Sequence, residues 1–182
     1  MALRFVALFR GINVGGKNKL AMKPLAAMFA EAGCLDVTTY IQSGNVLFSA
    51  PADLAATIPG RISARIFEEL GFRAPITLRS ADQLTMVILD NPMVDLGTPE
   101  DSMHVMFLND LPTLDRVASL DPTRSHPDTF SVQGREVYLN LPNGLARSKL
   151  TNAYFDSKLA TTSTIRNWRT VLKLGAMLGG RL

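Results

Sequence analysis

Val37-Thr38-Thr39-Tyr40-Ile41-Gln42-Ser43-Gly44-Asn45-Val46-Leu47-Phe48 reads as two β-rich runs, Val37–Ile41 and Val46–Phe48, on either side of a polar turn that carries a glycine. β-branched and aromatic runs around such a turn predict a hairpin. Upstream, the apolar run Leu3–Phe9 predicts a strand. A helix follows from near Met22, with Pro24 in its first turn and Gly33 as its C-terminal stop. Downstream, Asp53–Leu70 reads as a helix closed by Gly71, and Ala74–Leu78 as a further strand. The order βαββαβ is that of a ferredoxin-like unit.

Ser80-Ala81-Asp82-Gln83 has the spacing of a capping box and predicts a helix to about Leu89. The turn-rich segment 90–101 is the expected boundary, giving subdomains 1–90 and 91–182. Beyond it the pattern predicts a strand (His104–Leu108) and a helix (Leu114–Leu120). A hairpin then pairs Thr129–Val132 with Val137–Leu141 around Gln133-Gly134, and two final helices cover Lys149–Leu159 and Ile165–Leu178. The second half thus begins β, α, β, β, α like the first, which predicts a structural repeat although no sequence repeat is visible. The expected fold class is α+β, with two ferredoxin-like (βαββαβ-type) subdomains and C-terminal helices.

The chain has 182 residues, 47% of them apolar and 19% charged, enough to bury a core and too apolar for disorder. No apolar run approaches the ~20 residues that span a bilayer, and Leu3–Phe9, interrupted by Arg4, lacks a secretory pattern. Cys34 stands alone, which excludes an intrachain disulfide, and it reads as a small buried hydrophobe. A cytoplasmic location is therefore expected. The net charge of +3 is uneven: residues 147–182 hold seven Lys/Arg against one Asp. That asymmetry fits an anionic partner.

Arg10-Gly11-Ile12-Asn13-Val14-Gly15-Gly16-Lys17-Asn18 joins the first strand to the first helix. Its glycines let backbone N–H groups approach a ligand, and consecutive N–H groups in a turn form an anion-binding concavity. Arg10, Lys17 and Lys19 add positive charge. Gly11 to Asn18 is one residue from a phosphate-binding P-loop, with Asn18 where a Ser or Thr hydroxyl should bind Mg²⁺. A nucleotide triphosphatase is excluded all the same. Its helix must begin at the Gly-Lys step, and here the helix starts several residues later. Met86–Asp90, which resembles the acidic partner strand of that motif, sits behind a capping box. In a split βαβ unit the first two strands run parallel, so the loop Arg10–Asn18 and the turn Gln42–Asn45 should converge at one sheet edge.

The segment Thr164–Leu174 reads as an amphipathic helix with Arg166, Arg169 and Lys173 on one face and Ile165, Trp168, Val171 and Leu172 on the other. A core-packed helix with a solvated basic face is the simpler account, and Trp168 is expected in the core. No enzymatic signature stands out. His104 and His126 lack metal-ligand spacing, no nucleophile elbow occurs, Ser148 reads as a helix cap, and Tyr40 and Tyr138 as sheet-face residues. No metal or cofactor is implied.

Four motifs carry a family resemblance: Arg10–Asn18, Thr39–Val46, Ser148-Lys149-Leu150, and Thr164-x-Arg166-Asn167-Trp168 with Thr170-Val171 and Lys173-Leu174. Together the chain resembles the bacterial family known as domain of unknown function 1697. Arg169 departs from it, standing where a small polar residue, usually Asn, is expected. The resemblance implies a cytoplasmic α+β protein of two ferredoxin-like subdomains and no known activity.

The leading expectation is a protein that binds an anionic ligand, a phosphorylated small molecule or a nucleic acid, through the loop Arg10–Asn18. Arg10, Gly11, Asn13, Gly15, Gly16, Lys17 and Asn18 form the loop part of that site. Gln42, Ser43 and Asn45 add hydrogen bonds, while Lys149, Arg166 and Lys173 extend the basic surface. An enzyme acting on an anionic substrate at the same site, with Lys17 or Tyr40 moving the proton, is one alternative. A structural or protein-interaction module is the other. No membrane partner is expected, and homo-oligomer formation stays open.

Overall fold

A computed structural model describes residues 2–179. The chain forms two compact units: one from the chain up to Thr85 together with the stretch from Leu174 onward, the other from Met86–Lys173. The first contains β1 (Leu3–Phe9), α1 (Met22–Glu31), β2 (Leu35–Tyr40), β3 (Asn45–Ala50), α2 (Ala52–Leu70) and β4 (Ile76–Ser80). Its strands lie in the order β2-β3-β1-β4, each antiparallel to its neighbour. β1 and β2 are therefore parallel, with β3 between them.

Spacing explains the packing. Phe5, Ala7 and Phe9 alternate along β1, so all three point to one face, where Val46 and Phe48 of β3 join them. α1 covers that face with Leu25, Met28 and Phe29, and α2 with Ala55, Ile58, Ile62 and Ile66 at helical intervals. The Phe48 ring lies 5.6 Å from that of Phe5 and 5.3 Å from that of Phe29. α1 stops where predicted: Gly33, at φ +97°, donates to Ala30 O, and Cys34 N–H donates to Phe29 O at 3.1 Å. This paired closure places Cys34, 4% exposed, inside the core.

The chain crosses to the second unit along α3 (Ala81–Leu89). The capping box is formed as predicted, with Gln83 N–H donating to Ser80 Oγ at 3.2 Å and Ser80 N–H to Gln83 Oε1 at 2.9 Å. Then come α4 (Pro92–Asp95), β5 (Met103–Leu108), α5 (Leu114–Ala118), β6 (Thr129–Gln133), β7 (Glu136–Asn140), a single 3₁₀ turn (Leu145–Arg147), α6 (Asn152–Leu159), β8 (Ser163–Asn167) and α7 (Trp168–Met177). The sheet order is β6-β7-β5-β8, again antiparallel throughout. Tyr154, Phe155 and Leu159 of α6 pack on Met106, Leu108, Val137 and Leu139.

One predicted element is corrected. The segment from Ile165 does not begin a helix: Ser163–Asn167 is β8, paired with β5. Ser163, Thr164 and Arg166 are buried there, and Ile165 packs into the α6 core. Asn167 then starts the helix by accepting Thr170 N–H on Oδ1 at 2.8 Å. Helical periodicity and strand alternation both fit so short a run, and the open edge of β5 decides between them. A smaller correction moves the start of α6. Thr151 caps it by accepting Tyr154 N–H, whereas Ser148 Oγ accepts from Leu150 N–H in the preceding turn.

The two units repeat one another. Phe9 N–H donates to Gly44 O at 2.8 Å, and Leu108 N–H to Arg135 O at the same 2.8 Å. One residue on, Arg10 N–H donates to Pro75 O at 3.0 Å, and Asn109 N–H to Thr162 O at 2.9 Å. The last strands match as well: Thr77-Leu78-Arg79-Ser80 in β4 corresponds to Thr164-Ile165-Arg166-Asn167 in β8. Arg79 is 1% exposed and Arg166 8%. Each donates through its η1 nitrogen to the carbonyl of the residue before it, at 2.9 and 2.7 Å. Ser80 and Asn167 each cap the helix that follows.

Candidate functional site

The loop between β1 and α1, residues 10–21, meets the turn after β2 as the parallel strands require. Asn13 is the pin. Its Nδ2 donates to Leu20 O at 2.8 Å and to Gln42 O at 2.9 Å, and its Oδ1 accepts Leu20 N–H at 2.8 Å. Asn18 Nδ2 donates to Gly11 O at 2.9 Å, and Asn13 N–H to Asn18 O at 3.1 Å. Inside this frame Val14 and Lys17 pair across Gly15-Gly16, with Lys17 N–H donating to Val14 O at 3.1 Å. Gly15 and Gly16 both have positive φ, +58° and +76°, as a type I′ hairpin turn demands.

Backbone strain concentrates here. Asn13 and Asn18 sit at φ +55° and +49°, and Ile41, beside the pinned Gln42, at +49°. A β-branched residue in the left-handed region is an outlier that persists only where its surroundings impose it. Gly44 is held tightest: a Cβ there would lie 2.5 Å from Phe9 Cβ. The loop's outer surface is a different matter. Val14, Gly15, Gly16, Lys17, Asn18 and Lys19 are all exposed, Arg10 is half-buried, and a Cβ at Gly11, Gly15 or Gly16 would meet open space. Arg4, Arg10, Lys17, Lys19 and Lys23 occur before the first acidic residue of the chain, Glu31, so the arm's own sequence brings no neutralising carboxylate.

The predicted residues therefore divide. Arg10, Gly11, Gly15, Gly16 and Lys17 build a cationic hairpin arm, while Asn13 and Asn18 hold it in shape. Gln42 and Ser43 are exposed beside it. Asn45 is fully buried and donates from Nδ2 to Tyr40 O and Ser43 Oγ, closing the turn. Lys149, Arg166 and Lys173 belong to the second unit. The solvated helical face drawn through Arg166, Arg169 and Lys173 is not formed. Arg166 is a buried strand residue whose guanidinium pKa burial lowers to about 10. It donates to Thr164 Oγ1 at 2.9 Å. Arg169 Nη2 pairs with Asp101 at 2.6 Å. Arg181, counted among the C-terminal cations, lies outside the described residues. The signal for these buried arginines was the echo of Thr-Leu-Arg-Ser in Thr-Ile-Arg-Asn.

Other candidates settle into the fold. Trp168 is buried. Tyr138 is buried and donates to Val87 O at 3.2 Å, and burial raises its phenol pKa, which keeps the hydroxyl protonated near neutrality. Burial likewise raises the Cys34 thiol, with Arg61 opposing weakly. α1 starts at Met22, well past Lys17, and Met86–Leu89 is helical, so neither half of the triphosphatase motif is built. Among the described residues no group of His, Cys, Asp and Glu is arranged to hold a metal ion, and no helix is long and apolar enough to cross a membrane.

Fold and sequence together define an α+β protein of two repeated ferredoxin-like units, the first bearing a glycine-rich cationic arm. Residues 3–138 match the family described as "Protein of unknown function (DUF1697)", and the chain belongs to that family. Its structure is similar to that of a conserved bacterial protein, SP0830 from Streptococcus pneumoniae. The TM-score is 0.75 at 23% identity, over 98% of this chain and 99% of that one. No curated protein matches.

Proposed function

We propose that the arm Arg10–Lys19, with the adjoining turn 41–44, binds a phosphate-bearing ligand, and that the ligand is a nucleic-acid strand. The internal repeat carries this reading. Both units close the same sheet edge with the same pair of backbone hydrogen bonds. The second unit then needs only residues 109–113 before its helix, where the first uses residues 10–21. Ile12 and Leu20 anchor the ends of that loop in the core, and only the projecting stretch 14–19, exposed throughout, is surplus to this closure. What the longer loop adds is an exposed turn, three cations and a cluster of left-handed residues, and strain of that kind gathers at functional sites. Exposure of Val14, Lys17 and Lys19 suits a ligand laid across the arm better than one enclosed by it. Guanidinium and ammonium groups meet its phosphates while Val14 and Ile41 offer aliphatic surface to bases or sugars.

Fluorescence anisotropy with a labelled single-stranded oligonucleotide tests this across a salt series. Two phosphate contacts, from Lys17 and Lys19, predict a log–log salt slope of about −1.4, at ~0.7 per contact, and Lys17→Ala should flatten it by about 0.7. A phosphorylated small ligand in place of the strand would give binding without that slope. Equal affinity and slope in wild type and the Lys17→Ala, Lys19→Ala double variant would overturn the proposal.

A further inference from the structure

Far from the arm in sequence, the second unit contains a cleft of about 500 Å³ between the 99–102 turn and the segment that follows β7. Pro99, Leu141 and Pro142 supply apolar walls, and Gly144 leaves one side bare, since a Cβ there would meet no atom within 4 Å. The polar lining consists of Asp101, Ser102 and Asn140. These differ in what they have left to offer. Asp101 Oδ1 is paired with Arg169 Nη2 at 2.6 Å in an exposed ion pair that partly offsets its charge. Ser102 Oγ already donates to Pro99 O at 2.9 Å and retains only acceptor capacity. Asn140 Oδ1 is buried and accepts no hydrogen bond from any described residue.

A buried acceptor left unpaired is costly, so such groups call for a reason. Asn140 ends β7 on the cleft wall, in register with Met103 and Thr129. Turning its amide about the last side-chain torsion, which is soft, breaks no hydrogen bond at Oδ1. A volume of this size with mostly apolar walls and a few convergent polar groups is that of a small-molecule site. We propose that this cleft binds a small neutral ligand, an apolar ring carrying an O–H or N–H donor, with the ring against Leu141, Pro99 and Pro142 and the donor on Asn140 Oδ1. The ion pair on Asp101 disfavours a cationic ligand, and the acceptor-rich lining disfavours an anionic one. The site stands independently of the cationic arm, which lies in the other unit.

Two probes that share the benzyl skeleton separate the contributions: benzyl alcohol, which carries the donor, and toluene, which lacks the hydroxyl. In ¹H–¹⁵N spectra of the full chain, millimolar benzyl alcohol should shift the backbone amides of Leu141 and Gly144 and bind more tightly than toluene. Asn140→Leu should weaken benzyl alcohol about tenfold, the ~1.4 kcal/mol of one hydrogen bond, and leave toluene unchanged. Should that variant not fold, intermolecular NOEs from the wild-type protein must connect the benzyl alcohol ring to Leu141 and Pro142 side chains. Equal weakening of both probes, or NOEs to other residues, would overturn the assignment. So would the absence of any shift at Leu141 and Gly144.

Discussion

Gly44→Ala is the substitution that tests how the loop and turn are joined. The new Cβ would stand 2.5 Å from Phe9 Cβ and 2.6 Å from Ile12 Cδ1, at a backbone φ of +75°. Ile12 can move its δ-methyl, but Phe9 Cβ is fixed to β1. Moreover, Phe9 N–H donates to Gly44 O at 2.8 Å, drawing the two backbones together where the new atom needs them apart. An L-residue in the left-handed region costs about 1–2 kcal/mol, and overpacking a filled site about 1–3 kcal/mol. The sum is roughly 2–5 kcal/mol. Gly15→Ala isolates the first contribution, because φ there is +58° and no atom lies within 4 Å of the added carbon. It should lose only about 1–2 kcal/mol. For a chain of this size 1 kcal/mol moves Tm by about 2–4 °C, so circular-dichroism melts resolve the difference. Amide exchange at Phe9 should rise in Gly44→Ala and stay unchanged in Gly15→Ala. Equal melting temperatures for the two variants would refute the claim that close approach, rather than left-handed geometry alone, requires glycine at position 44.

Two further outcomes can be checked by the same methods. Ser80→Ala removes the acceptor that holds Gln83 N–H and should cost about 0.5–2 kcal/mol, with little further loss in the Ser80→Ala, Gln83→Ala double variant because the capping bonds act as a pair; additive losses would show that they do not. His104, on β5 and 9% exposed, has its pKa lowered by burial below the ordinary 6.5, against a smaller opposing effect of its contact with Ser102 O. Its neutral form is the one the fold accepts. The unfolded chain therefore binds the extra proton first, and stability should fall as pH drops from about 6.5 towards the folded-state value. His104→Gln should remove that component from a Tm–pH series, and a wild-type profile identical to the variant's would contradict it.

Much of the fold was legible because its signals are local. The capping box at Ser80, the glycine stops at Gly33 and Gly71, and the βαββαβ order all depend on residues a few positions apart. Convergence of the loop Arg10–Asn18 with the turn after β2 followed from topology alone. The cationic, glycine-rich character of the loop was legible, but not the division of labour among its residues. Nothing local distinguishes Asn13, which pins the loop, from Asn18, which spans it, or either from an exposed ligand contact. At the other end, Thr164–Asn167 has residues that suit a helix face or a strand equally. Its assignment rests on an open edge of β5, a partner more than fifty residues away in the chain.

Composition and spacing alone determined the α+β class, the element order, the burial of Cys34 and the presence of a cationic glycine loop, since each follows from propensity, periodicity or turn geometry within a short window. Tertiary structure decided what those windows leave degenerate. It made Arg166 a buried strand residue, turned Asn13 and Asn45 inward, and left Asn140 Oδ1 without a donor among the described residues. It also matched the two units at the same sheet edge, where the first loop, anchored by Ile12 and Leu20, projects an exposed turn that the second unit's shorter loop lacks. Hydrogen-bond partners and burial are set by where distant segments meet, and that information is absent from any one stretch of the chain.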